Sequence, residues 1–249
     1  MSIKIQNYSL SIIFAFLPLS MILGSLILNL NILVFIILGT IIIFRARILM
    51  NFSLSDKSLI AFFILMFCST IINQDFKFNE YTAKSVFLFR FLLLYIIFQT
   101  LTKLNKLNIN FFYWTCSFFS LIIAIDILLH LYFGLNVFNI KSDPFFGFNS
   151  FFKEEKVAGG FMLFTLPFSI ILFNDYFKKS KKNFIIETAI IFLMISAIFI
   201  SSNKMSFVMA VFFLFFITII VKRFRFQTII AILIFLLSFK VSLGLFMKG

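Results

Sequence analysis

Six ionisable side chains stand inside or at the edge of long apolar runs: Arg90, Asp126, His130, Glu154, Glu155 and Lys204. A charged group at the centre of a membrane helix costs about 2.5–3.5 kcal/mol on insertion scales. One that is kept there is a candidate for function. Asp126 and His130 are four residues apart and so share one helical face. The spans described below bring all six residues to the same side of the membrane. Cations and carboxylates at one level could line a single pocket opening outward, with His130 available as a base. Each residue also has an ordinary role open to it. Arg90 can snorkel outward or pair with Asp126, and Asp126 can be a buried structural acid. His130 suits the interface, Lys204 can simply flank a span, and Glu154 and Glu155 suit a turn or a helix N-terminus.

The elements that must position these residues are membrane helices. Hydrophobic residues make up 62% of the 249, and charged ones only 12%. That is more apolar surface than one water-soluble core could hide. The sequence predicts an all-α, polytopic helical transmembrane bundle, a single transmembrane domain over 1–249. About nine spans are expected, at 9–28, 30–44, 58–72, 84–100, 111–131, 156–174, 184–201, 205–221 and 226–243. The first two share one apolar stretch, expected to break near Asn29 and Asn31, with Pro18 kinking the first. Arg90 then lies roughly 9 Å inside the fourth span, at 1.5 Å per residue. An external loop is expected at about 132–155.

The charges orient this arrangement. One set of gaps holds Lys4, Arg45, Arg47, Lys57, Lys103 and Lys106, and then Lys178, Lys179, Lys181, Lys182, Lys222, Arg223 and Arg225. Only Asp56 and Asp175 oppose them, whereas Asp75, Glu80, Asp143, Glu154 and Glu155 fall on the other side. The positive-inside bias therefore predicts a cytoplasmic N-terminus and an external, periplasmic C-terminus. The net charge of +13 is accounted for by span-flanking lysines and anionic membrane lipids, not by nucleic acid. Cys68 and Cys116 lie in apolar runs and form neither a disulfide framework nor a metal-ligand spacing. The first apolar run reads as a span, not as a cleaved signal peptide. The 43 phenylalanines, with abundant Ile, Lys and Asn, read as the codon bias of an AT-rich genome, not as a Phe-specific function.

Three segments in order carry a family resemblance. The first runs Ala124-Ile-Asp-Ile-Leu-Leu-His-Leu-Tyr-Phe-Gly134, and the second Gly147-Phe-Asn-Ser-Phe-Phe-Lys-Glu-Glu-Lys-Val-Ala-Gly159. The third runs Ile200-Ser-Ser-Asn-Lys-Met-Ser-Phe207. Together they resemble the O-antigen ligase and O-antigen polymerase family of bacterial inner-membrane glycosyltransferases. Many members open a span with an acidic pair, two residues and then Ala-Gly, and here Glu154, Glu155, Ala158 and Gly159 are in that register. Ser202, Asn203, Lys204 and Met205 stand where members carry a Gly-Glu-Arg-Thr or Ser-Arg-Gly motif. Arg90 resembles an arginine often found in the fourth span. The resemblance covers roughly 84–221. It departs from the family at Lys204, which keeps the charge of the expected arginine but loses its bidentate fork. It departs again at Gly249, where members begin a large external loop with a catalytic histidine. The resemblance thus implies a truncated member, half of a split one, or a divergent relative.

What the resemblance implies is transfer of a glycan from an undecaprenyl-pyrophosphate carrier to a glycan or lipid A core acceptor. Arg90 and Lys204 would hold the pyrophosphate, with Glu154 and Asp126 also in the substrate site. Glu155 would be the base for the acceptor hydroxyl, with His130 second. No cofactor and no metal are expected. The same charges would suit a transporter or flippase of lipid-linked glycan, and a non-catalytic remnant is a third alternative.

Overall fold

The computed structural model describes residues 3–47, 52–73, 80–134, 137, 150–152, 157–176, 181–201, 203–222 and 224–246. Every regular element among them is helical. In chain order these are α1 (Ile3–Ala15), α2 (Leu17–Leu23), α3 (Ser25–Arg45), α4 (Leu54–Asn73), α5 (Glu80–Lys103) and α6 (Asn110–Phe133). A 3-10 turn follows at Ser150–Phe152, and then α7 (Ala158–Tyr176), α8 (Lys181–Ile200), α9 (Lys204–Ile220) and α10 (Arg225–Phe246). Five helices are long and apolar enough to cross a membrane: α3, α4, α5, α6 and α8. Shorter apolar helices cover Tyr8–Leu23, Ala158–Phe173, Lys204–Ile220 and Arg225–Leu237. The helices group into two compact units, Met1–Phe112 and Tyr113–Gly249.

In the first unit the chain breaks at Gly24, not near Asn29 and Asn31 as the sequence predicts, and both asparagines lie within α3. The reason is backbone geometry. Gly24 has φ +114° and ψ 170°, a region closed to residues with a Cβ. Asn31 serves the neighbouring kink instead. Pro18 opens the α1–α2 junction, where Leu17 N–H would otherwise bond to the Ile13 carbonyl. With its amide oxygen toward Leu17 N (3.2 Å) and its nitrogen toward Ile13 O (3.1 Å), Asn31 bridges that opened pair. A buried amide is thereby satisfied, and so is a backbone break that lipid could not solvate.

Helix pairing in this unit rests on shape and rings, because lipid removes the hydrophobic drive between helices. Gly39 on α3 lets α5 approach closely, since a Cβ there would run into the Ile97 side chain. Phe14 is the hub of a ring cluster, with Phe35, Phe98 and Phe112 at 5.1, 4.8 and 4.7 Å. α4 and α5 join through Phe67 and Phe89 (5.7 Å) and through Ser85 Oγ donating to Thr70 Oγ1 (2.9 Å).

In the second unit α8 packs along α7 and α10, and α9 lies against all three. Phe199, Phe207 and Phe235, one from each of α8, α9 and α10, meet at 5.1–5.7 Å. α6 and α7 join through a buried hydroxyl pair, Ser120 donating to Thr165, and Thr165 donates in turn to the Phe161 carbonyl (3.0 Å). The outer face of α9 presents Met205, Met209, Phe212, Phe216 and Ile220, all exposed, as a lipid-facing stripe requires.

Candidate functional site

The last two turns of α6 hold the centre of the arrangement. Asp126 is 1% exposed and His130 3%, one turn apart on the inner face. Gly134 ends the helix with φ +71°, its N–H donating to the His130 carbonyl (3.0 Å), the left-handed cap that glycine favours. The chain beyond returns to Asp126. Val137 N–H donates to Asp126 Oδ1 (2.9 Å), and Ser150 Oγ donates to Oδ2 (2.6 Å). Ser150 adopts φ +54°, which costs a residue with a Cβ roughly 1–2 kcal/mol. The short bond to a buried carboxylate is what holds it there. Asp126 thus ties Val137 and Ser150 to the end of α6, with one oxygen for each.

From Ser150 the contacts continue to α7. Phe152, two residues on, sets its ring against Phe161 at 5.8 Å. Ala158 and Gly159 open α7 and are buried. Gly159 has no room for a methyl group, because a Cβ would clash with Ser201 Oγ and stand 3.0 Å from Asn203 Cβ. The start of α7 therefore rests on the corner between α8 and α9. That corner is built locally: Ser201 Oγ donates to the Ile198 carbonyl (2.7 Å) to finish α8, and Asn203 caps α9 by accepting from Ser206 N–H (3.2 Å). Lys204 follows the cap as the first residue of α9 and is exposed.

Asp126, His130 and Lys204 are thus brought to one end of the second unit, where α6 and α8 finish and α7 and α9 begin. Arg90 lies in the first unit, on α5. It is half-buried, its guanidinium 4.8 Å from the Phe91 ring, and its Nε has no hydrogen-bond partner among the described residues. Glu154 and Glu155 lie outside the described residues. No group of three or more His, Cys, Asp or Glu placed to hold a metal ion occurs among the described residues.

Two buried polar groups escaped the sequence reading. Gln227 Nε2 on α10 donates to Glu187 Oε2 on α8 at 3.0 Å, with Glu187 1% and Gln227 5% exposed. A signal existed: Glu187 falls a turn inside its predicted span and Gln227 at the start of its own, each next to a basic cluster. The other is Asp56, also 1% exposed. It accepts from Ser53 N–H (2.8 Å) while its own N–H donates to Ser53 Oγ (3.3 Å). Tyr95 on α5 donates its hydroxyl to the other oxygen at 3.1 Å. The Ser-x-x-Asp spacing announces that capping box.

No protein family, curated protein or solved structure matches this chain.

Proposed function

We propose that the chain is a membrane glycosyltransferase of the O-antigen ligase and polymerase type. In this reading the five long helices and four shorter apolar ones make about nine crossings of a bacterial inner membrane, with the N-terminus cytoplasmic. The observation that carries the reading is the seating of Gly159 on Ser201 and Asn203, at the end of the unit where Ser150 meets Asp126. The third of the segments with the family resemblance lies about forty residues beyond the second. Convergence is what a shared site requires of them.

The chemistry is displacement at the anomeric carbon of the carrier-linked sugar. The acceptor oxygen forms the new glycosidic bond, the bond to the pyrophosphate oxygen breaks, and the acceptor proton passes to a base. Pyrophosphate leaves with an added negative charge, which needs donors fixed in advance. Lys204 supplies a cation at the mouth of α9, where the helix N-terminus also favours an anion. Glu155 is the base, with His130 the next candidate and Glu154 beside the substrate. Asp126 acts as a positioning residue, holding Val137 and Ser150.

Glycan profiling of the source organism tests this. Deleting the gene should abolish polymerised or core-attached glycan. Wild type should restore it, and Glu155→Ala and Lys204→Ala should not, at equal membrane levels of protein. An unchanged glycan pattern on deletion would refute the assignment.

A further inference from the structure

A cleft of about 540 Å³ opens in the first unit between α1, the end of α5 and the connection to α6. Its size falls in the range of small-ligand sites. Its walls are held firmly. α5 ends in a Schellman turn, with Asn105 at φ +52°, Lys106 N–H donating to the Leu101 carbonyl (2.9 Å) and Asn105 N–H to that of Thr102 (3.0 Å). Asn108 N–H then donates to Ser11 Oγ (2.9 Å), tying the connection to α1.

One wall residue behaves unlike its kind. Thr70, Thr100, Thr188 and Thr228 each return the hydroxyl proton to the carbonyl four residues back, at 2.7–2.9 Å. Thr102 does not. Its Oγ1 is buried and has no partner among the described residues, and the residue lines the cleft. An unpaired buried hydroxyl bears its whole desolvation cost unless something else meets it. Beside it stands half-buried Lys106, the one charged residue among the described residues of the lining, with the Tyr8 side chain and the Asn105 and Asn108 amides completing a wall rich in donors. No carboxylate is among those described lining residues, and Leu107 and Ile109 add an apolar patch. A cation, spare donors and no acid select an anionic phosphate ester. Lys103 nearby adds to the positive field, and basic pockets between membrane helices suit lipid headgroups.

We infer that this cleft binds an anionic phosphate ester, seated on Lys106 and Thr102. The inference is independent of the glycosyltransferase reading. The ester can come from an anionic phospholipid or from a soluble metabolite, and native mass spectrometry of the purified full chain separates the two. Phosphatidylglycerol, diacylglycerol and glycerol 3-phosphate are titrated in turn. Phosphatidylglycerol retained well above diacylglycerol identifies a lipid headgroup, and glycerol 3-phosphate bound at comparable concentration identifies a soluble ester. In either case Lys106→Ala should weaken binding about tenfold, as loss of a charge-assisted contact does, and the near-isosteric Thr102→Val severalfold. Phosphatidylglycerol and diacylglycerol retained alike with no binding of glycerol 3-phosphate, or binding unchanged in both folded variants, would overturn the inference.

Discussion

Asp56 and Asp126 are two equally buried carboxylates, each 1% exposed, in two differently built regions. Asp56 closes a local circuit. Its main partner is three residues away, and Tyr95 and Gln99 on the next helix bond to it as well. Asp126 holds residues 11 and 24 positions further along, and through them the approach to α7. The first arrangement starts a helix. The second shapes a loop end against a helix corner that carries an exposed cation. The difference is that Asp56 starts its own helix and ties it to the next one, whereas Asp126 holds segments that lie beyond its helix.

Asp126→Ala should break the second region most. It strands the buried Ser150 hydroxyl, at about 1–3 kcal/mol, removes the acceptor of the Val137 N–H, and lets Ser150 leave its left-handed conformation. Limited proteolysis should cut beside Val137 and Ser150 much faster, and activity should fall further than the amount of folded protein. Unchanged cutting at those two residues would remove Asp126 as their anchor.

The adjacent glycines offer a sharper contrast. Gly159→Ala drives a methyl into Ser201 and should cost about 1–3 kcal/mol by overpacking. At Gly160 a Cβ meets only Ser206 Oγ at an ordinary 3.8 Å, so Gly160→Ala should leave the melting temperature unchanged or slightly raised. Equal effects of the two would show that α7 does not rest on the α8–α9 corner.

The local circuit should yield the smaller effects. Asp56→Ala should cost about 0.5–2 kcal/mol in thermal unfolding, the usual loss of a cap, and Tyr95→Phe about 0.5–1.5 kcal/mol. Both should lower activity only in proportion to folded protein. A specific loss of activity in Tyr95→Phe would blur the distinction between the two carboxylates.

Much of this was legible in the sequence for physical reasons. Bilayer-length apolar runs specify helices almost regardless of detail, and the four-residue spacing of Asp126 and His130 guarantees a shared face. Polarity points to a break near Asn29 and Asn31, but the chain breaks at Gly24, the residue that can take positive φ there. Asn31 could be understood only once the Pro18 kink faced it. Likewise nothing in the sequence near Asp126 names Ser150, nothing near Glu187 names Gln227, and the tightness at Gly159 depends on a corner more than forty residues away. Short-range chemistry can be read along the chain. Partners joined by packing across loops and helices cannot.

In the proposed function, the end of the second unit bearing Asp126 and Lys204 transfers glycan from a pyrophosphate carrier. The most direct test is the purified chain in proteoliposomes, given an undecaprenyl-pyrophosphate-linked labelled glycan and an acceptor. Label should reach the acceptor with one undecaprenyl pyrophosphate released per transfer, and Lys204→Ala, folded and inserted normally, should lose most of that rate. No transfer by folded wild type in the presence of a competent acceptor, or an undiminished rate in Lys204→Ala, would contradict the account.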